Sequence, residues 1–540
     1  MTRREAWLTA GILFGLALVV RSLVASIVPF PTPEDTAYYV GVARNLVDGH
    51  GLVSNAMWSF GTPPLRFPRD AFEVWLPLPA FLAALPMLVL GSGFHASQVG
   101  TLLLGSLVPV LAWRLGADVA EELDMPVGRA RTLAVGSGLT AIVSLPLLLH
   151  GVLPDSTTPF TVLALGACLL MVRIAREPRG ARATDRRLLG LGILFGLAAL
   201  TRNEFLWLGL VWIVVAWRAP GTTRPERLRL IVAPAIVGAA ILAPWLVRDW
   251  IVFGNPLPGQ AATNALSVTG FDIFAYQDPP TLARYLTQGP AWLLSSRVDG
   301  FGHNLLDVLL VPGAPVSMLG LVALPWVARG SALRPVVLLS ALTFAATTLL
   351  FPVSTTWGTF LHAAGPVHVL LIVGGLLALD RIIVRAGQWR GWTKPVAWLG
   401  PTLTVAAALL FSVGILAYGG QAREIQRRYA ALIPAMTTAG LTVDPSVPVI
   451  TDFPIWYAEG TGGRALALPD ESPASILDLA KRFGAQLLVV TGTDHGRWPA
   501  VIDAGGPDVA CFREVALPVP AVAADAAALN ETRVFRLGCP

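Results

Sequence analysis

VAWLGPTLTVAAALLFSVGIL, residues 396–416, carries no charged side chain from end to end. As a helix rising about 1.5 Å per residue, a run of roughly 20 such residues matches the ~30 Å hydrocarbon core of a bilayer. AGILFGLALVV, residues 10–20, has the same character. The whole chain agrees: 54% of its 540 residues are hydrophobic, only 14% are charged, and the mean hydropathy is +0.64. A soluble domain carries about 25% charged residues. The composition therefore predicts a polytopic α-helical membrane protein. The first apolar run is long and lacks a small-residue cleavage site, so 6–28 reads as a retained span.

Candidate spans lie at 6–28, 97–114, 131–150, 157–173, 187–200, 203–217, 230–250, 305–328, 333–352, 360–379 and 396–418, about eleven in all. The net charge of +5 comes from arginines clustered between apolar runs, at 173–187, 218–229, 329–334 and 381–394. That placement is the positive-inside pattern of membrane proteins and not a nucleic-acid-binding surface. With Arg3 and Arg4 it puts the N-terminus and these connections in the cytoplasm. Loops 29–96, 151–156, 251–304 and 353–359, and everything after 419, then face outward. Val74–Leu90 is apolar enough to cross, but a crossing there would place every later arginine cluster outside. Its three prolines suit an interfacial or re-entrant segment. Arg423, Arg427 and Arg428, just beyond the last span, run against the scheme.

The composition changes near Asp444. VPVITD, ALALP and QLLVVTG read as strands. SPASILDLAKRFG reads as a helix, with Ser472 as its N-cap, Pro473 in the first turn and Gly484 at the end. The expected organisation is a membrane domain at 1–420, a linker helix at 421–444 and a small extracytoplasmic α/β domain at 445–540. Three cysteines are too few for a disulfide framework. Cys168 sits in an apolar run and is expected to be inert. Cys511 and Cys539 fall in the outward compartment, on segments expected to be antiparallel neighbours, and are expected to pair.

The chemistry-bearing residues collect in the outward loops. Directly after the first span comes PTPEDTAYYVGVARNLVDGHGLVSN, with Glu34 and Asp35 at the membrane edge. A carboxylate there can take the proton of an attacking hydroxyl. Equally, it can cap a helix over Thr36–Leu46. Asp155, in HGVLPDS, is a second outward acid or a helix cap. Arg202 with Glu204 is an ion pair near the bilayer, where ionisable groups are costly to hold. Arg248 binds an anion or anchors a helix end. Arg66, Arg69 and His50 suit a lipid phosphate or the membrane surface, since arginine matches phosphate geometry. His362 is a ligand-binding group or a satisfied helix-end residue.

Taken in order, these segments resemble the GT-C glycosyltransferases, polytopic enzymes that take a sugar from a polyprenyl-phosphate carrier. The protein mannosyltransferase, aminoarabinose transferase and arabinofuranosyltransferase types look similar here. Acid, small residue, aromatic pair and ARNLxxGHG resemble their first outer loop. GLAALTRNEFLWLGL resembles a turn in which Asn203 replaces a proline. APWLVRDWIVFGNPLP resembles a segment in which Asp249 replaces an asparagine. TTWGTFLHAAGPVHVLL resembles a late outer loop bearing a histidine, and the soluble tail resembles that of bacterial members. The resemblance implies transfer of a sugar to an extracytoplasmic hydroxyl on a glycan, lipid or protein, with inversion at the anomeric carbon. Asp35 would be the base, with Glu34 and Asp155 as further catalytic acids. Arg248, Arg202, Arg66, Arg69, His50 and His362 would hold the donor phosphate. No cofactor is demanded, though Glu34, Asp35 and Asp155 could hold a divalent metal if they converge. A transporter or flippase is the alternative; it typically shows repeated halves, and none is visible.

Overall fold

The computed structural model describes residues 2–176, 182–258, 261–392, 396–492 and 496–539. Parts of the arginine-rich connections 173–187 and 381–394 lie outside them. The first helix, Arg3–Ala25, opens on a capping box: Thr2 accepts from the Glu5 N–H while the Glu5 carboxylate accepts from the Thr2 N–H. Among the described residues six helices are long and apolar enough to cross a membrane, and the bent pair Gly289–Leu310 and Ala314–Val327 makes up to seven. Expected spans 203–217 and 333–352 correspond to the shorter apolar helices Phe205–Trp217 and Arg334–Leu350, and 187–200 falls on helix Arg182–Ala199. Gly365–Trp389 is the central helix, buried over most of its length. Helices approach it closely through small residues: a Cβ on Gly320 would stand 2.5 Å from the Leu371 carbonyl oxygen.

Two expected spans are broken. Segment 305–328 is not one rod, because the chain turns by 109° between Leu310 and Ala314. Gly313 makes the turn with φ of 98°, open to glycine alone at no cost. Segment 131–150 divides into Val127–Val143 and Leu145–Leu149. Pro146 lacks the N–H that would continue the ladder, so the break falls at Ser144.

The tail holds most of a six-stranded sheet. Its strands are β4 (Val449–Thr451), β5 (Ala465–Ala467), β6 (Leu487–Val490), β7 (Phe512–Val515) and β8 (Arg533–Leu537). The first outer loop supplies β1 (Val53–Ser54), β2 (Ala56–Met57) and β3 (Arg69–Asp70). β1 and β3 pair with each other, while β2 crosses over to become the edge of the tail's sheet, in the order β2-β5-β4-β6-β8-β7. The pairs β2–β5, β5–β4 and β4–β6 are parallel; β6–β8 and β8–β7 are antiparallel. Helix Pro473–Phe483 is capped by Ser472 and stopped by Gly484 in the left-handed region, as its sequence signals. Cys511 and Cys539 form the expected disulfide, and Cys168 is free and buried. Helix Gly414–Thr438 connects the two bodies. Arg423 donates to the Ile27 carbonyl at the end of the first span and Arg428 to Ala528 of the tail, so these arginines serve docking.

The same interface decides the path of Val74–Leu90. Only Leu78–Leu90 is helical, 13 residues or roughly 20 Å. Its start is held by Leu200, whose carbonyl accepts the Leu78 N–H. Just past its end, Ser92 accepts from Arg44 Nε, while the other two Arg44 nitrogens grip Glu459 of the tail at 2.7 and 2.8 Å. The exit of the helix therefore lies on the tail's side of the molecule. A cysteine at Gly93, an exposed position with open space at its Cβ, should react with an impermeant thiol reagent from the same side as a cysteine at Ser446. Labelling of the two from opposite sides would show a crossing.

Candidate active site

Helix Glu34–Val47 begins at Pro33 and places both acids in its first turn, where unpaired N–H groups favour negative charge. Adjacent residues on a helix point about 100° apart, and here they meet different partners. Glu34 turns to the tail and accepts the Ile455 N–H at 3.1 Å. Its desolvation in the wall pushes the carboxyl up to about 8, with neighbouring Asp452 and Asp35 adding to the rise against the Ile455 and Trp456 N–H groups. Asp35 accepts the Thr36 N–H through Oδ1 at 2.8 Å and turns Oδ2 toward His362 Nδ1, 3.6 Å away.

Behind His362 stands the loop after helix Leu145–Leu149. Asp155 is fully buried and accepts from Thr157 N–H at 2.8 Å, while its other oxygen meets His150 Nδ1 at 2.7 Å. Burial works to raise this carboxyl, but the charges of His150 and His362 outweigh it and hold Asp155 below the usual carboxylate range. Thr157 Oγ1 lies 3.0 Å from His362 Nδ1, tying the loop to the late outer segment. Donor atoms of His150, Asp155 and His362 all lie within 4.8 Å of one another. Two imidazoles and one carboxylate are a donor set suited to zinc and related divalent ions. The condition for Glu34, Asp35 and Asp155 to share a metal, that they converge, is not met: Glu34 bonds the Ile455 N–H, and the group that gathers is His150, Asp155 and His362.

A cavity of about 510 Å³ opens in front of this group. Glu34, Asp35, Arg202, Glu204 and His362 line it, together with Trp58, Trp75 and Trp357, and the tail contributes Phe453, Ile455 and Trp456. Arg202 grips Glu204 through Nε and Nη2 at 3.0 and 2.8 Å and donates to Ser156 Oγ at 2.7 Å. Asp155 and His150 sit behind the wall.

The other expected phosphate ligands lie away from the cavity lining. Arg248 donates to Asp249 at 2.8 Å and packs between the rings of Trp245 and Phe253, at 4.9 and 5.2 Å. Arg66 is exposed and paired with Asp70. His50 is exposed beyond the end of its helix. Arg69 is 0% exposed and spends its donors on Glu73 and the carbonyls of Pro64 and Thr62; no phosphate can reach it without dismantling that set. Sequence reasoning passed over His150, because its apolar neighbours assign it to a span. The signal was its position five residues before Asp155, in the same outward loop. Ser156 and Thr157 have no sequence mark beyond that proximity.

No protein-family model matches the chain, and no curated protein matches it. Solved structures do. ArnT from Cupriavidus metallidurans in the apo state aligns over 99% of this chain and 98% of its own at a TM-score of 0.55 and 14% identity. The same protein bound to undecaprenyl phosphate aligns over 97% of each chain at 0.54 and 13%. AglB, the oligosaccharyltransferase of Archaeoglobus fulgidus, aligns over 91% of this chain and 70% of its own at 0.54 and 11%. At such identities the likeness is one of fold. The architecture, a polytopic helical body carrying a small α/β tail, is the fold shared with these solved membrane proteins.

Glu34 is ordinarily near 4.5 and sits near 8 when folded. Between those values the unfolded chain ionises while the folded one keeps its proton, so stability from this residue falls as pH rises. Wild type should therefore lose roughly 1 kcal/mol or more of stability relative to Glu34→Gln between pH 6 and pH 8, read from unfolding midpoints in detergent. Parallel curves for the two proteins would place Glu34 in water.

Proposed function

We propose that this protein is a membrane glycosyltransferase that moves a sugar from a polyprenyl-phosphate donor to an acceptor hydroxyl, with inversion and with Asp35 as general base. The observation that carries the reading is the cavity itself: Asp35, at the start of its helix, and the Arg202 guanidinium share one lining with aromatic side chains. The fold supports it, since one structural neighbour is bound to undecaprenyl phosphate and another to a dolichol-phosphate and an inhibitory peptide. In the proposed step the acceptor O–H gives its proton to the Asp35 carboxylate as its oxygen bonds to the anomeric carbon. The bond from that carbon to the carrier oxygen breaks, and its electron pair leaves on the lipid phosphate. A single displacement inverts configuration.

Arg202 is the lining guanidinium suited to the departing phosphate. Glu204 already holds two of its nitrogens, so Arg202 is fixed in place before substrate arrives. His150, Asp155 and His362 would hold a divalent metal where one is used, and it would supply positive charge near that phosphate. Asp155 orients His150 and, through Thr157, the ring of His362. The arginine distribution favours a cytoplasmic N-terminus and a tail outside a cell membrane, which would make the acceptor an extracytoplasmic glycan, lipid or protein. The tail closes the cavity with Phe453, Ile455 and Trp456.

Purified protein incubated with a panel of polyprenyl-phosphate sugars should release lipid phosphate with one or a few of them. Asp35→Asn should reduce the rate at least ~10³-fold, since it removes the proton acceptor in the transition state. Glu34→Gln, which resembles the protonated acid present at pH 7, should stay within about fivefold of wild type. Normal turnover in a folded Asp35→Asn variant would remove Asp35 from the reaction.

A further inference from the structure

We propose that Arg21, a cation inside the first span, is the positioning residue that fixes His150 behind the cavity; the inference rests on the site proposed above. Arg21 is 0% exposed. Its Nη2 donates to the Leu147 carbonyl at 3.2 Å, and among the described residues its Nε and Nη1 have no hydrogen-bond partner. A guanidinium with most of its donors unmet and, among the described residues, no carboxylate in ion-pair contact is a poor stabiliser. An apolar side chain of similar volume is often as stable or more so. Intramembrane charge that does not repay its desolvation calls for another role.

The surroundings indicate that role. Leu147 belongs to the short helix Leu145–Leu149, which His150 directly follows, and the His150 N–H donates to the Pro146 carbonyl of the same turn at 3.1 Å. Gly151 lies flat on the guanidinium: a Cβ there would stand 2.5 Å from Arg21 Nε and 2.7 Å from the Leu147 oxygen. Gly105 closes the other side, where a Cβ would stand 2.9 Å from Gly151 Cα and 3.0 Å from Arg21 Nε. The loop is held further along by Gln98, which donates to the Val152 carbonyl at 3.0 Å, and by Thr158, which donates to the His150 carbonyl at 2.8 Å. Arg21 is thus the floor under residues 147–151. With that floor gone, the loop can sink toward the vacated volume, and the 2.7 Å contact of His150 with Asp155 is the first to change.

The test uses full-length protein in detergent with Arg21→Met, Arg21→Lys and Gly151→Ala. Modification of His150 by diethyl pyrocarbonate, followed by peptide mass, reads its position without activity; exposed His50 is the control. Arg21→Met should keep or raise the unfolding midpoint, modify His150 at least fivefold faster, and lower kcat for lipid-phosphate release about tenfold at unchanged donor KM. Arg21→Lys should recover part of both effects. Gly151→Ala, which crowds the same contact from the loop side, should reproduce them, and it decides with Arg21→Lys if Arg21→Met does not fold. Wild-type His150 reactivity in these variants overturns the proposal. A lower midpoint with no change at His150 does so too, since that is ordinary structural loss. Absence of transfer by wild type on every donor would count against the proposed function alone, and the His150 reactivity would still decide the role of Arg21.

Discussion

Arg44 and Glu459 form the contact on which the geometry of the cavity depends. Arg44 lies on the helix that carries Asp35, Glu459 on the tail helix that follows β4, and their forked ion pair is backed by the bond from Arg44 to Ser92. Glu459 is almost wholly buried, which raises its carboxyl against the pull of Arg44. An acid so placed is tolerable because the guanidinium meets both its oxygens. The Ile455 N–H bonds Glu34 at the other end of the same helix. With β2 paired to β5, the first outer loop and the tail share one core, in which Tyr38, Trp58, Ile450 and Leu466 belong to a single buried cluster. The tail is thereby a wall of the site, not a separate appendage.

Much of this architecture was legible in the sequence. The spans declare themselves by apolar length, a demand that any bilayer makes of any chain. The tail's capped helix was readable because Ser472, Pro473 and Gly484 each answer a local backbone need. The bend at Gly313 carries a local mark, Pro312 before it and Pro315 after it, but the apolar run continues on both sides and so reads as one span. β2 was hidden because it is two residues long and its pairing is with a strand some 400 residues away.

The site was half legible. Asp35 and Asp155 stand out because acids at span ends are costly without purpose. That Glu34 faces the tail while Asp35 faces His362 is set by residues 455 and 362, far along the chain. Arg69 shows the converse error. In sequence it is an arginine in an outward loop beside another. In the fold Glu73 and two carbonyls enclose it, and burial turns an apparent phosphate ligand into a strut for the loop. Arg248 is similar, its charge absorbed by Asp249 and two aromatic faces.

Among these charged residues, pairing and cavity access part company. Arg69, Arg248 and Arg44 are partnered with carboxylates and lie outside the lining, and they hold the loops together. Arg202 is partnered as firmly, yet it reaches the cavity because Ser156 and Glu204 fix it at the rim. A guanidinium already oriented by a carboxylate has little rotamer freedom left to lose when an anion arrives, and its net charge is reduced while it waits. That combination favours a group recognised chiefly as its charge grows, as on a departing phosphate, over one held tightly from the start. In the proposed reaction, a free arginine there would grip the product phosphate as strongly as it stabilised its departure, and release of the lipid carrier would slow.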